Sequence, residues 1–376
     1  IKFINLDMST DFPFIFYYIG LLFSVILLSN YFFKKYIQFA KQYSLTNSVN
    51  RKMGHKSNTL TGGGVVFASI VMLAALVLEN LDFVEFSNFS PVLATSILIS
   101  VLGFYDDFID VSRFHKHTIL TFLISMLVYS FYVSSSDFDI ISNLNGFLGI
   151  YELGSLLSFV FTCFVYLSIM NAINLTDGIE GYLAIFSIFF FLSFLYMNDI
   201  NDFYTLNSIS AIIIASCVIF LKYNFSKKGK KLFVGDAGSL FIGFWIAYYL
   251  IHYISTAPSA KLIDVFSIKL ENIPVIAISL ISIPVLDTLR VMLVRILNKK
   301  SPFSADRNHL HHILLDSGMT NLRTSLFLTF INCFNCIFIF LIEQNFNSKE
   351  LTLIYVAISI FWYVFFEYMN RKNISS

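Results

Sequence analysis

Residues 154–182 read GSLLSFVFTCFVYLSIMNAINLTDGIEGY, and this stretch decides the fold class. From 154 to 170 it is apolar and uncharged, close to the roughly 20 residues that a helix needs to cross a bilayer. It then turns abruptly into Asn, Asp and Glu. The same alternation runs along the whole chain of 376 residues, of which 57% are hydrophobic, 18% aromatic and 13% charged. A soluble globular chain carries roughly 25% charged residues, and the mean hydropathy here is +0.73. That composition excludes a water-soluble single domain, a nucleic-acid binder and a disordered scaffold. It predicts an all-α polytopic membrane protein.

Eleven apolar runs stand out, near 12–33, 64–81, 89–105, 118–134, 154–170, 179–197, 205–222, 238–256, 272–294, 325–343 and 350–368. The first lacks a basic leader and a small-residue cleavage site, so it reads as a span rather than a cleaved signal. Cys163, Cys217, Cys333 and Cys336 all fall in apolar runs, which indicates no disulfide framework, and the CxxC spacing of the last two reads as packing. Of the 25 Lys and Arg residues, 21 lie in segments on one side, chiefly 34–63, 222–237 and 290–324. Lys2, Lys261, Lys269 and Lys349 alone fall on the other. By the positive-inside rule the N-terminus is expected outside and the C-terminus in the cytoplasm. His55, His115, His117, His309, His311 and His312 then all face the cytoplasm, and so does the expected working site.

Four polar clusters gather at that face. The first is GFYDDFID, 103–110, with Asp106, Asp107 and Asp110 directly after the third run and Lys116 further along. Neighbouring carboxylates repel each other unless a cation binds them, although such a pair could simply end a helix in water. The second is NAINLTDGIEGY, 171–182, where Asn171, Asn174, Asp177 and Glu180 recur at three-residue steps, a staggered polar stripe if the segment is helical. Asn and Asp oxygens are hard donors suited to Mg²⁺. No basic residue shares that loop, and Gly178 and Gly181 are expected to let a substrate approach the backbone. The third is FVGDAGSLFIG, 233–243, where Asp236 precedes a run whose N-terminal amides are expected to favour a phosphate. The fourth is ADRNHLHHILLDSG, 305–318, with Arg307, His309, His311 and His312. A zinc site is the rival there, but no cysteine is near and the histidines are crowded. Asp287 and Arg290, three residues apart near the end of the ninth run, read as a structural ion pair.

Together, the DDxxD run 106–110, the NxxNxxDG run 171–178, the GDxGS run 235–239 and the HLHH run 309–312 resemble the polyprenyl-phosphate N-acetylhexosamine-1-phosphate transferase superfamily (glycosyltransferase family 4). Arg51, His55 and Gly62 to Gly64 resemble a weaker fifth piece. The resemblance covers about residues 50–320 of a single integral-membrane domain, 1–376. The DRxHLHH pattern, Asp110 and Lys116 are similar to the WecA/TagO branch, which uses UDP-N-acetylglucosamine, rather than to the MraY branch, which uses UDP-MurNAc-pentapeptide. Leu60 and Thr61 depart from a usual proline, and Tyr182 stands where leucine is common.

The resemblance implies that a lipid phosphate, undecaprenyl phosphate or another polyprenyl phosphate, attacks the β-phosphorus of a UDP-N-acetylhexosamine and releases UMP. It implies a multi-pass protein of the bacterial plasma membrane, a homodimer, and Mg²⁺ as cofactor with Mn²⁺ as a substitute. Asp236 and Asn174 are then expected to hold the metal, with Asp177 close by. Asp106 or Asp107 would orient the lipid phosphate and take its residual proton. Lys116, Arg307, His309, His311 and His312 would hold the diphosphate and sugar. Asp110 and Glu180 would line the substrate, and Asn224 and Phe233 would receive uracil. Direct attack and a covalent aspartyl-phosphate both remain open. A secondary transporter, the alternative from another class, predicts midplane charges and two related halves; the sequence shows neither.

Overall fold

A computed structural model describes residues 8–46, 59–81, 89–109, 111–134, 140–197, 204–226, 230–256, 267–301 and 308–375. Asp110, Arg307, Arg51 and His55 lie outside them. The described chain is helical apart from one hairpin, as an apolar environment demands: a helix pairs its backbone groups within itself.

The helices are α1 (Met8–Gln42), α2 (Val65–Asn80), α3 (Ser90–Ile109) and α4 (Arg113–Val133), then β1 (Asn143–Phe147) and β2 (Ile150–Glu152). There follow α5 (Ser155–Thr176), α6 (Tyr182–Met197), α7 (Tyr204–Asn224) and α8 (Asp236–Thr256). The last group is α9 (Ile273–Ser279), α10 (Ser282–Leu297), α11 (Leu310–Asp316), α12 (Asn321–Ile342) and α13 (Ser348–Ser375). Each of the eleven apolar runs falls on helix. Among the described residues, seven helices are long and apolar enough to cross a membrane, or eight if a bent pair counts as one. The shorter apolar helices include α2, which at 16 residues reaches about 24 Å at 1.5 Å per residue.

Helix α8 is the hub. Its apolar window is 94% buried inside the protein, against α3 on one flank and α5 on another. Small residues permit this. A side chain at Gly64 would strike the backbone of Gly238, one at Gly103 the backbone of Asp236, and one at Gly243 would lie 3.0 Å from Met170 Cα. Close backbone approach at small residues is how helices associate where apolar surroundings remove the hydrophobic drive. The β1–β2 hairpin lies between α4 and α5 at the end of the bundle away from the four motifs, and Leu148 N donates to Ser348 Oγ at its tip (3.1 Å).

The ninth apolar run is not one continuous span. It bends by 72° between Leu270–Ser279 and Ser282–Leu297. A break frees backbone groups, which cost several kcal/mol each in an apolar layer unless paired. Asn332 of α12 pairs them: its Nδ2 donates to the Leu280 carbonyl (2.8 Å) and its Oδ1 accepts from Ile283 N (3.0 Å) and Ser282 Oγ (3.1 Å). Asn335 donates to Ser282 Oγ (3.2 Å) and accepts from Trp362 Nε1 (3.1 Å), tying α13 to the same break. Replacing Asn332 by Leu, of similar volume, leaves the Leu280 carbonyl and Ile283 amide without partners, at roughly 1–3 kcal/mol for each. The expected outcome is a clearly lower melting temperature in detergent; an unchanged melt would show that the break needs no bracing.

Candidate active site

The loop entering α8 is built as a backbone ladder with the loop before α2. Leu60 N donates to the Lys231 carbonyl (3.3 Å), Phe233 N to the Leu60 carbonyl (2.8 Å), Gly63 N to the Phe233 carbonyl (3.0 Å) and Gly64 N to the Val234 carbonyl (2.8 Å). Tyr36 of α1 closes the same loop on the Thr61 carbonyl (2.6 Å). This ladder delivers Gly235 and Asp236 to the end of α3. Gly235 adopts φ +71°, and a Cβ there would run into the Asp107 carboxylate. Glycine is required twice over.

Asp106 and Asp107 sit in the last turn of α3 rather than after it. Asp107 accepts from Asp236 N (2.9 Å) and, more loosely, from Ala237 N (3.4 Å), while Gly238 N and Ser239 N both donate to the Gly235 carbonyl (3.1 Å each). The four N-terminal amides of α8 are therefore all taken within the protein. The phosphate expected at this helix end meets no free amide. A carboxylate from α3 occupies the place, favoured by the positive end of the helix dipole.

Around that cap the remaining motif residues converge. Lys116 of α4 donates to Asp106 Oδ2 (2.7 Å) and forms an ion pair with Asp236 as well. Asp106 Oδ1 accepts from Val111 N (2.8 Å). Asn174, in the last turn of α5, donates to Asp236 Oδ1 (3.1 Å) and Ser239 Oγ (2.8 Å). Helix α5 stops at Thr176, so Asp177 and Glu180 share no helical stripe with Asn171 and Asn174. Asp177 caps that end. Burial raises its pKa well above the usual carboxylate value of 3.8, and the charges of Asp236 and Asp107 raise it further.

Two glycines of the second motif face protein side chains instead of an open approach. A Cβ at Gly178 would overlap the His311 imidazole, and one at Gly181, with φ +83°, would meet the Phe225 ring. The acidic loop also has a basic partner, unseen along the sequence because it comes from another loop: Lys231 pairs with Glu180. The Lys231 ammonium lies 5.8 Å from the centre of the Phe233 ring. Asn224 is buried at the end of α7, and its amide donates to the Leu232 carbonyl (2.8 Å), bracing the loop that carries the third motif. Its Oδ1 is buried without a hydrogen-bond partner among the described residues.

The fourth motif is held from below. Asp287 of α10 accepts from Leu310 N at Oδ1 (2.9 Å) and bonds His309 Nδ1 through Oδ2 (3.0 Å), fixing the first turn of α11. The His309 and His311 rings are near parallel, 6° apart with centroids 5.6 Å apart, and His312 packs on His311 at 4.3 Å. With Asp287 on Nδ1, His309 keeps Nε2 for other duty. Asp287 and Arg290 are 3.5 Å apart, so the structural pair read from the sequence is the weaker contact each makes. Arg290 donates to Glu367 of α13 (2.8 Å) and to the Asn308 carbonyl. No sequence signal marked Glu367, which lies some 80 residues further on.

Asp106, Asp107, Asp177 and Asp236 thus face one another with Lys116 as the cation that the described residues place among them. The carboxylates supply hard oxygens of the kind that a divalent magnesium ion takes, while Asn174 turns its amide nitrogen toward Asp236. Among the described residues no three His, Cys, Asp or Glu side chains are set to hold a metal by themselves.

Such a fold and site are those of a polytopic membrane protein with a carboxylate-rich centre at one end of its helices. The glycosyl transferase family 4 profile matches residues 89–254. A probable undecaprenyl-phosphate N-acetylglucosaminyl 1-phosphate transferase of Bacillus subtilis (strain 168) is 31% identical over 72% of this chain and 70% of its own length. The undecaprenyl-phosphate alpha-N-acetylglucosaminyl 1-phosphate transferase of Escherichia coli (strain K12) is 29% identical over 77% and 74%. The decaprenyl-phosphate N-acetylglucosaminephosphotransferase of Mycobacterium leprae (strain TN) is 29% identical over 69% and 66%. The chain belongs to glycosyl transferase family 4.

The Asp177 carboxyl gives a pH prediction. Below the usual value of 3.8 it is protonated folded or unfolded and costs nothing. Above it the unfolded chain ionises freely while the folded group resists, so stability falls as pH rises until the raised pKa is passed. Asp177→Asn is therefore expected to melt higher than wild type at pH 7 in EDTA, with the difference shrinking toward pH 4. Equal melting at both pH values would contradict the crowding of charge described for this site.

Proposed function

We propose that this protein transfers N-acetylglucosamine 1-phosphate from UDP-N-acetylglucosamine to a polyprenyl phosphate, releasing UMP. The observation that carries the reading is the convergence of Asp106, Asp107, Asn174, Asp177 and Asp236 around one helix start with Lys116 among them. Similarity to relatives named for this transfer supports it. An oxygen of the lipid phosphate forms a bond to the β-phosphorus while the bond from β-phosphorus to the bridging oxygen breaks. UMP leaves with that oxygen. Two polyanions must meet, so the work is charge neutralisation and alignment.

Asp236 and Asn174 would hold Mg²⁺, which supplies charge neutralisation on the diphosphate when bound. Lys116 is placed to exchange a carboxylate for a phosphate oxygen as substrate arrives. Asp106 aligns the acceptor phosphate; its proton is largely gone already, since a second phosphate pKa is about 6. Asp107 holds the start of α8 in place, so Asp236 cannot drift. His309, His311 and His312 offer donors to the sugar and diphosphate, and the Phe233 ring a stacking face for uracil. The motif end faces the cytoplasm of a bacterial plasma membrane, where the nucleotide sugar is made.

The test is UMP release by the purified protein in detergent with polyprenyl phosphate and Mg²⁺, comparing UDP-GlcNAc, UDP-GalNAc, a 6-deoxy analogue and UDP-MurNAc-pentapeptide. Release with UDP-GlcNAc and its loss in EDTA are expected. Asp236→Asn, which keeps the side-chain shape, should lower turnover by at least about 10²-fold, the scale of a lost preorganised electrostatic group. Undiminished turnover in that variant would overturn the reading.

A further inference from the structure

We propose that Glu367, on the C-terminal helix α13, is a positioning residue for the histidine motif. It acts by drawing the buried Arg290 guanidinium away from Asp287. Arg290 is 1% exposed, and a buried cation left without a counter-charge is strongly destabilising. Two carboxylates are within its reach, and it divides itself unequally between them. Glu367 Oε1 takes a 2.8 Å bond from one terminal nitrogen, whereas Asp287 Oδ1 stands 3.5 Å from the other, which is spent on the Asn308 carbonyl. A contact of 3.5 Å is at the edge of hydrogen bonding.

This unequal division leaves Asp287 its task. Both Asp287 oxygens are committed to the fourth motif, one to the Leu310 amide and one to the His309 ring. His309 lies parallel to His311, and His311 packs where a side chain at Gly178 would be, one residue from Asp177. A chain of contacts therefore runs from α13 through Arg290, Asp287, His309 and His311 to Gly178, the chain neighbour of Asp177. Without Glu367, the nearest carboxylate for Arg290 is Asp287. A full Arg–Asp pair there is a charge-assisted, bidentate contact, and it competes directly with the bonds that fix His309 and the start of α11.

The consequence for turnover rests on the proposed role of the histidines in holding the nucleotide sugar. In the full-length protein, Glu367→Ala is expected to raise KM for UDP-GlcNAc roughly tenfold, as displaced positioning groups do, with KM for polyprenyl phosphate unchanged. Glu367→Gln keeps an acceptor oxygen for Arg290 and should recover most of the loss. A helix-packing role alone would lower the yield or melting temperature of both variants without separating the two KM values. An independent readout needs no substrate: carbethoxylation of His309 by diethyl pyrocarbonate, followed by peptide mass spectrometry. His309 should react slowly in wild type and several-fold faster in Glu367→Ala. Should Glu367→Ala fail to fold, Glu367→Asp, one methylene short of Arg290, takes its place and should show the same faster labelling. If wild type releases no UMP, the proposed function fails, and the labelling still judges this inference. Equal labelling rates and unchanged donor KM in folded Glu367 variants would overturn it.

Discussion

Everything at the candidate site depends on how closely three backbones can approach the start of one buried helix. Helix α8 begins against Gly64 of the loop before α2 and Gly103 of α3, and further along it meets α5 through Gly243. Any side chain at these glycines would hold the helices apart, and Asp107 could then not reach the Asp236 and Ala237 amides. That capping bond does two things at once. It satisfies amides that would otherwise be orphaned at a helix end, and it fixes Asp236 beside Asn174 and Lys116. Packing and site geometry are thus one constraint, set by residues with no chemistry of their own.

The fold class was legible from apolar run length, because a bilayer leaves helices as almost the only choice for such stretches. The four polar clusters were legible because charged groups are scarce in this chain and stand out against it. What stayed hidden was everything made by pairs distant in sequence. Lys231 neutralises Glu180 across 51 positions, and Arg290 finds Glu367 across 77. The 72° bend in the ninth run was hidden for the same reason: its stability comes from Asn332, on another helix. The glycines of the second motif looked like room for a substrate. They are room for His311 and Phe225, which only the packing of α11 and α7 could disclose. Local chemistry predicted which residues matter, and tertiary contacts decided what each of them touches.

The two halves of the site solve opposite electrostatic problems. Around α8, carboxylates outnumber cations, and the excess is what a polyanionic substrate brought in with a divalent cation would relieve. Around α11, each buried charge already has partners: Asp287 has an amide, a histidine and a distant guanidinium, and Arg290 has a carboxylate and a carbonyl. Paired charges in a low-dielectric interior are held in place, even with Arg290 Nε unbonded among the described residues, whereas an excess of like charge is poised to bind. The histidines sit on the border, backed by that network, with His311 against Gly178, the chain neighbour of Asp177.

That division accounts for why so much of the protein beyond the motifs is polar and buried. Holding several like charges together costs stability, and the deficit must be covered by structure that does not move when substrate arrives. The bracing of the α9–α10 break by Asn332 and Asn335 keeps α10, and with it Asp287, in register with α12 and α13. At the other end of α9, Asn272 donates to the Glu343 carbonyl (2.9 Å) and carboxylate (3.1 Å), locking α9 to the end of α12. A break left free to flex would move Asp287 with every fluctuation, and the His309 ring with it. The asparagines far from the carboxylates are therefore part of the same device: they hold Asp287, and through it His309, in register.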